Sequence, residues 1–117
     1  MSEYSKLANM NIKELTSSSE DAAALLKALA NPHRLMILCE LHNGERSVSA
    51  LEEVVPLSQS ALSQHLAKLR EGGFVVTRRE AQMIYYALAD ERVSRLIGVL
   101  HEIFCEHRAP KNRRLSK

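Results

Sequence analysis

The sequence predicts a mainly α-helical domain that carries one β-hairpin, and three observations predict it. Apolar residues recur at the three- and four-residue spacing of helices through several consecutive segments, each opened by a residue able to cap a helix. Near residue 80 the period changes, and two β-prone runs, "FVVTRR" and "MIYYAL", follow each other across "EAQ". The length of 117 residues, 45% hydrophobic and 26% charged, suits one globular domain with a modest core and argues against disorder or a repeat array.

Each element has its own local reason. Residues 1–17 have weak apolar content and no clear period, and are expected to form a mobile arm ahead of a domain over 18–109. Ser18 or Ser19 can cap the first helix, whose opening turn carries Glu20 and Asp21, and Ala22, Leu25, Leu26 and Leu29 share one face. Asn31 is the next cap, with Pro32 at the first helical position, and the second helix runs to Gly44. Ser47 opens a short third helix to residue 55, "PLS" breaks the chain, and a fourth helix spans 58–71 until Gly72 and Gly73 stop it. The hairpin follows, with strands over 74–79 and 83–88. Asp90 then caps a last helix over 91–108 with Val93, Leu96, Ile97, Leu100 and Phe104 on one stripe, until Pro110 ends it and a basic, disordered tail begins.

Composition narrows the function. No apolar run near the N-terminus is bounded by a cleavage site and no segment is long enough to cross a bilayer, so a cytoplasmic location with no membrane partner is expected. In a reducing compartment the two cysteines, Cys39 and Cys105, are buried, metal-binding or redox-responsive rather than a permanent staple. Net charge is +2, but five of the basic residues fall in 108–117, which leaves 11 basic against 14 acidic residues in 1–107. Affinity for nucleic acid must therefore come from local geometry.

That geometry is legible in "LSQSALSQHL". Leu62, Leu66 and Leu69 recur at core spacing, so Gln59, Ser60, Ser63, Gln64, Ala67 and Lys68 take the opposite face. A solvated helix face usually carries Glu and Lys, whereas serine is a poorer helix former. Short hydroxyls let a helix approach a phosphate backbone closely, and glutamine carries the donor and acceptor that match adenine in the major groove. A short helix, a three- to four-residue turn and a second helix is the arrangement that inserts the second helix into that groove. Arg78 and Arg79 lie beside the hairpin turn, placed for an adjacent minor groove or for phosphates.

Three separated stretches, "LLKALANPHRLMIL", "LSQSALSQHLAKLREGGFV" and "RREAQMIYYAL", resemble the winged-helix repressors of the ArsR/SmtB family over about residues 20–107. The resemblance implies a winged helix-turn-helix that dimerises through its first and last helices, and a homodimer with two recognition helices on palindromic double-stranded operator DNA. The residues expected to face DNA are Ser58, Gln59, Ser60, Ser63, Gln64, His65, Lys68, Arg78 and Arg79. Two roles stay open for His65: reading DNA, or packing and hydrogen bonding beside Leu66.

Metal sites of the family are mostly missing. The first helix of the helix-turn-helix, "SVSALEEVV", has no sulfur or imidazole, and an Asp-x-His expected near the last helix is Asp90-Glu91-Arg92. No cofactor or metal is assigned. The contexts "LMILCEL" and "HEIFCEH" resemble the persulfide-sensing BigR/SqrR subgroup and its HlyU-type relatives. That resemblance implies a switch in which Cys39 and Cys105 join through a disulfide or longer sulfur bridge, with reactive sulfur species as the inducer. Free cysteine also packs as a small hydrophobe, and both residues fall near helix C-termini, where the dipole disfavours a thiolate unless His42, His101 or Arg108 offsets it. Two alternatives remain: a metal-responsive repressor using the cysteines with His42 and His101, and a non-sensing HlyU-like activator that displaces a silencer. An enzyme such as a thiol peroxidase is not expected, since the strands are too few for the usual βαβ scaffold.

Overall fold

The computed structural model describes residues 11–106. Six α-helices, three strands and a π-helical turn follow in order: α1 (Ile12–Ser17), α2 (Ser19–Leu29), α3 (Pro32–His42), β1 (Arg46–Ser47), α4 (Val48–Val54), α5 (Gln59–Glu71), β2 (Val75–Glu80), β3 (Met83–Leu88), α6 (Glu91–His101) and the π-turn Glu102–Glu106. The expected tail over 110–117 and the first ten residues of the expected arm lie outside the described residues. Helix α1 falls where no period was seen; Asn11 caps it by accepting from the Lys13 N–H at 2.9 Å, and none of its residues is buried.

Caps explain most boundaries. Asn31 Oδ1 accepts from the backbone N–H groups of His33 and Arg34, both at 3.0 Å, ahead of Pro32. Ser47 and Ser58 accept from Ala50 and Ala61, each at 3.1 Å, and Asp90 accepts from Arg92 and Val93. Each satisfies a donor that the first turn of a helix leaves without a partner. Ser18 departs from expectation: it occupies the cap position of α2 without a side-chain cap bond, at φ −108° and ψ 7° where the capping Asn31, Ser47, Ser58 and Asp90 are extended, and its N–H closes onto the Leu15 carbonyl as α1 runs directly into α2.

Leu62, Leu66 and Leu69 of α5 meet Ile37, Leu38 and Leu41 of α3, Leu51 of α4, and Val93 and Ile97 of α6 in one buried core. Val75 and Tyr86 anchor the hairpin to it. The sheet order is β1-β3-β2, all antiparallel, and the two-residue strand β1 was too short to leave a periodic signal. Glu80 pairs with Met83, so the hairpin turn is Ala81-Gln82 alone rather than "EAQ", with Ala81 at φ 59°.

Two apolar stripes are only partly covered. On α2 Leu29 is buried and Leu25 half-buried, but Ala22 and Leu26 are exposed, Leu26 at 58%. On α6 Val93 and Ile97 are buried, whereas Phe104 is 59% exposed instead of continuing the stripe. Phe104 falls on the π-turn, where bonds run from i to i+5 and the residue period differs from that of α6.

Candidate nucleic-acid interface and thiol groove

Helix α5 presents the expected ridge. Ser58, Gln59, Ser60, Ser63, Gln64 and Lys68 are all exposed; Ser60, Ser63, Gln64 and Lys68 face away from the three buried leucines, whereas Gln59 is exposed in the first turn on the flank nearer Leu62. Ser58 is committed in part, since its Oγ is the cap acceptor. Helix α4 and the four residues from Val55 to Ser58 hold α5 at its start; Val55 is buried and Leu57 half-buried, which fixes the turn to the core. Between α5 and the hairpin lies a groove of about 720 Å³ lined by Ser49, Ser63, Ala67, Arg70, Gln82 and Ile84 among others. Sequence reasoning missed Ser49, Arg70 and Gln82. Arg70 was legible as a basic residue one turn beyond Leu66, but the other two enter through tertiary placement.

His65 does not lie on the ridge. It is half-buried, its ring centroid is 6.1 Å from that of His33 on α3, and its buried Nδ1 has no hydrogen-bond partner among the described residues. Burial, then the nearby Arg34, His33 and Lys68, push its pKa below the usual imidazole value. This placement is in keeping with the packing role of the two left open, though the hydrogen bond that role included is not made among the described residues.

The two hairpin arginines are held differently. Alternation along β2 puts Arg78 and Glu80 on one face, and Arg79 on the face shared with Val75. Arg79, opposite Ile84, is exposed. Arg78 donates from Nε and Nη2 to the two carboxylate oxygens of Glu45, at 2.8 and 2.9 Å, and from Nη1 to Glu80 at 2.9 Å. Its guanidinium carbon also lies 4.6 Å from the centroid of Tyr85, the residue opposite it on β3. Neither Glu45 nor Tyr85 was singled out by the sequence; the Arg78–Glu45 contact spans 33 positions and leaves no local pattern.

Cys39 is half-buried in a second groove, of about 550 Å³, between α3 and α6, with Leu35, Glu40, His42, Ile97 and His101 among its walls. Burial raises the Cys39 pKa, and the proximity of Cys105 raises it further. Both thiols are free, and Cys105, on the π-turn, is exposed. His42 is tied to Ser94 across the groove, 3.1 Å from Nδ1 to Oγ, and Glu40 is paired with Arg46 at 3.0 Å. Arg108 lies outside the described residues. Among the described residues no three His, Cys, Asp or Glu side chains gather as a metal site would, so the set suggested by the spacing of His42, Cys39, His101 and Cys105 is not assembled. Among the same residues no helix is long and apolar enough to cross a membrane.

Comparison with known proteins places this geometry. Residues 31–77 match the family described as "Bacterial regulatory protein, arsR family". The chain is 50% identical over 103 residues to the transcriptional activator HlyU of Vibrio cholerae, covering 88% of this chain and 95% of HlyU. The structure of reduced HlyU from that organism superposes with a TM-score of 0.76 at 49% identity, over 80% of this chain and 99% of that one. The transcriptional repressor BigR from Xylella fastidiosa gives a TM-score of 0.78 at 40% identity, over 84% and 100%. A homodimeric winged helix-turn-helix DNA-binding domain from Mycobacterium bovis gives 0.69 at 35% identity, over 86% and 92%.

Proposed function

This chain belongs to the arsR family of bacterial regulatory proteins, and from that premise we propose a homodimer that reads operator DNA with α5 and is released by reactive sulfur acting on Cys39 and Cys105. That it is a DNA-binding transcription regulator with a winged helix-turn-helix follows from its relatives. The observation that carries the finer reading is the exposed amide-and-hydroxyl ridge Gln59, Ser60, Ser63 and Gln64, backed by three buried leucines. Gln59 and Gln64 supply paired donors and acceptors for base edges, while Ser58, Ser60 and Ser63 bring the helix close to the backbone. Lys68 and Arg79 supply charge for phosphates. His65 supports the ridge from behind.

Dimerisation is supported by what a single chain leaves uncovered. Leu26 on α2, Val99 on α6 and Ile103 on the π-turn stay 47–58% exposed. Soluble proteins seldom leave several large apolar side chains of first and last helices open, and a second copy buries both stripes at once. The homodimeric relative from M. bovis is in keeping with this.

For the switch, two free thiols sit close enough for the charge of one to disfavour that of the other. A direct disulfide needs Cα atoms roughly 4.4–6.8 Å apart, and inserted sulfur atoms relax that demand. Closing the bridge takes two protons and two electrons from the thiols; each thiol sulfur displaces one terminal sulfur of a polysulfide, the two terminal sulfurs leave as two molecules of hydrogen sulfide carrying those electrons and protons, and the inner sulfur atoms remain between Cys39 and Cys105. The exposed Cys105 meets the oxidant first and Cys39 closes the bridge. A solved structure of HlyU from Vibrio cholerae is described as reduced, which is in keeping with thiol redox chemistry in that relative. Relatives named activator and repressor share the fold, so the same DNA occupancy serves either sign of control.

The test uses a duplex selected from a random pool by the reduced chain. A polysulfide donor should release that duplex and add a Cys39–Cys105 bridge visible by intact mass. Cys39→Ser should keep its DNA under the same treatment. Release from Cys39→Ser equal to that from the parent chain would end the dithiol reading.

A further inference from the structure

The two arginines of the hairpin are adjacent in sequence yet held in opposite ways. Arg78 gives three N–H groups to carboxylates and lies over Tyr85, whereas Arg79 is exposed with no hydrogen bond or ion pair among the described residues. A phosphate approaching Arg78 would have to displace Glu45 and Glu80, two negative charges around one positive. A bidentate carboxylate matches the guanidinium fork as well as a phosphate does.

Glu45 is what gives the contact mechanical meaning. It sits in the turn between α3 and β1, just after Gly44 at φ 134°, and two residues before Ser47 caps α4. The hairpin is otherwise joined to the helices by the two-residue strand β1, by the buried Val75 and Tyr86, and by the half-buried Phe74, Leu88 and Ile84, of which Ile84 is the packed side chain nearest the turn. A two-stranded ribbon is only marginally ordered by itself, so its outer half needs a tether. Isolated surface ion pairs contribute little, but a bidentate arginine shared between two carboxylates and stacked on a ring is the exception. Glu45 is correspondingly held below the usual carboxylate range, first by its hydrogen bonds from Arg78.

We propose that Arg78 is a positioning residue for DNA binding: clamped by Glu45 and Glu80 over Tyr85, it sets the hairpin against the turn that leads into α4, and of the two hairpin arginines only Arg79 meets the phosphates. This rests on the DNA-binding reading above and replaces, for Arg78, the direct contact expected from the sequence.

The experiment is a salt titration of the selected duplex with the full-length chain. Arg79→Gln should weaken binding and reduce the slope of log affinity against log salt by about one for each protomer. Arg78→Gln should weaken binding several-fold while leaving the slope at the parent value. Arg78→Glu should bind far worse, and the exchange Glu45→Arg with Arg78→Glu should recover most of the loss, since the pair is rebuilt with its charges reversed. A slope reduced by about one in Arg78→Gln, or an exchanged pair as weak as Arg78→Glu, would overturn the proposal. A parent chain that binds no selected duplex would remove the DNA-binding reading itself, an outcome visible before any variant is compared.

Discussion

His65 shows how a single residue of α5 can be read two ways and decided by its surroundings. It follows Gln64, yet its ring turns toward His33 and buries an Nδ1 that has no partner among the described residues. Burial first, then the neighbouring Arg34, His33 and Lys68, favour the neutral ring in the folded chain, so its pKa lies below that in the unfolded chain. Above about pH 6.5 both states are neutral and the packing is fully stable. As pH falls below that, the unfolded chain gains a proton that the folded one resists, and stability drops until the lowered native value is reached. Calorimetry should show a melting temperature falling between about pH 7 and 5, and His65→Gln should flatten that fall; an unchanged fall would contradict the assignment. The carboxylates of Glu45 and Asp90, held low by their arginine partners, titrate outside this window. Caps were the most legible residues of all, because Asn31, Ser47, Ser58 and Asp90 act on N–H groups two or three positions away. Arg78 was not legible, because what fixes its role is a carboxylate far off in sequence.

At the level of elements, the long helices and the hairpin follow from period alone, while every departure has a short or non-periodic cause. Strand β1 is two residues long, the α1 helix depends on one asparagine, and the π-turn changes phase inside an uninterrupted apolar pattern. The hairpin turn is a further case. Glu80 pairs with Met83, which forces Ala81 into the left-handed region at φ 59°. That conformation costs an ordinary L-residue roughly 1–2 kcal/mol, of which glycine's extra chain entropy returns a part. Ala81→Gly should therefore stabilise the chain by about 0.5–1 kcal/mol in urea unfolding. A loss of stability instead would mean that the tight turn is wrongly placed. The thiol site was legible as two cysteines in similar contexts, but the walls of its groove come from packing α3 against α6, which no local pattern states.

For the whole molecule, the exposed stripes of α2 and α6 are the clearest sign that one chain is not the working unit. Leu26 lies on α2, outside α5 and not among the residues lining the Cys39 groove, which makes it a clean probe. Leu26→Glu should give a monomer by sedimentation, and operator affinity should fall about a hundredfold or more as the second half-site contact is lost. A variant that stays dimeric would move the interface elsewhere. Charge is organised at the same scale: residues 1–107 carry more acid than base, so phosphates are met by a few placed cations such as Lys68 and Arg79 rather than by a general field. In the proposed reading shape then matters more than net charge, and the fold serves to present the exposed amide-and-hydroxyl ridge of α5 to base edges. The most direct measurement is the affinity of Gln64→Ala for the selected duplex and for random duplex in parallel. The account predicts a loss of about 1–3 kcal/mol on the selected sequence and almost none on random DNA; equal losses on both would show that Gln64 does not read bases.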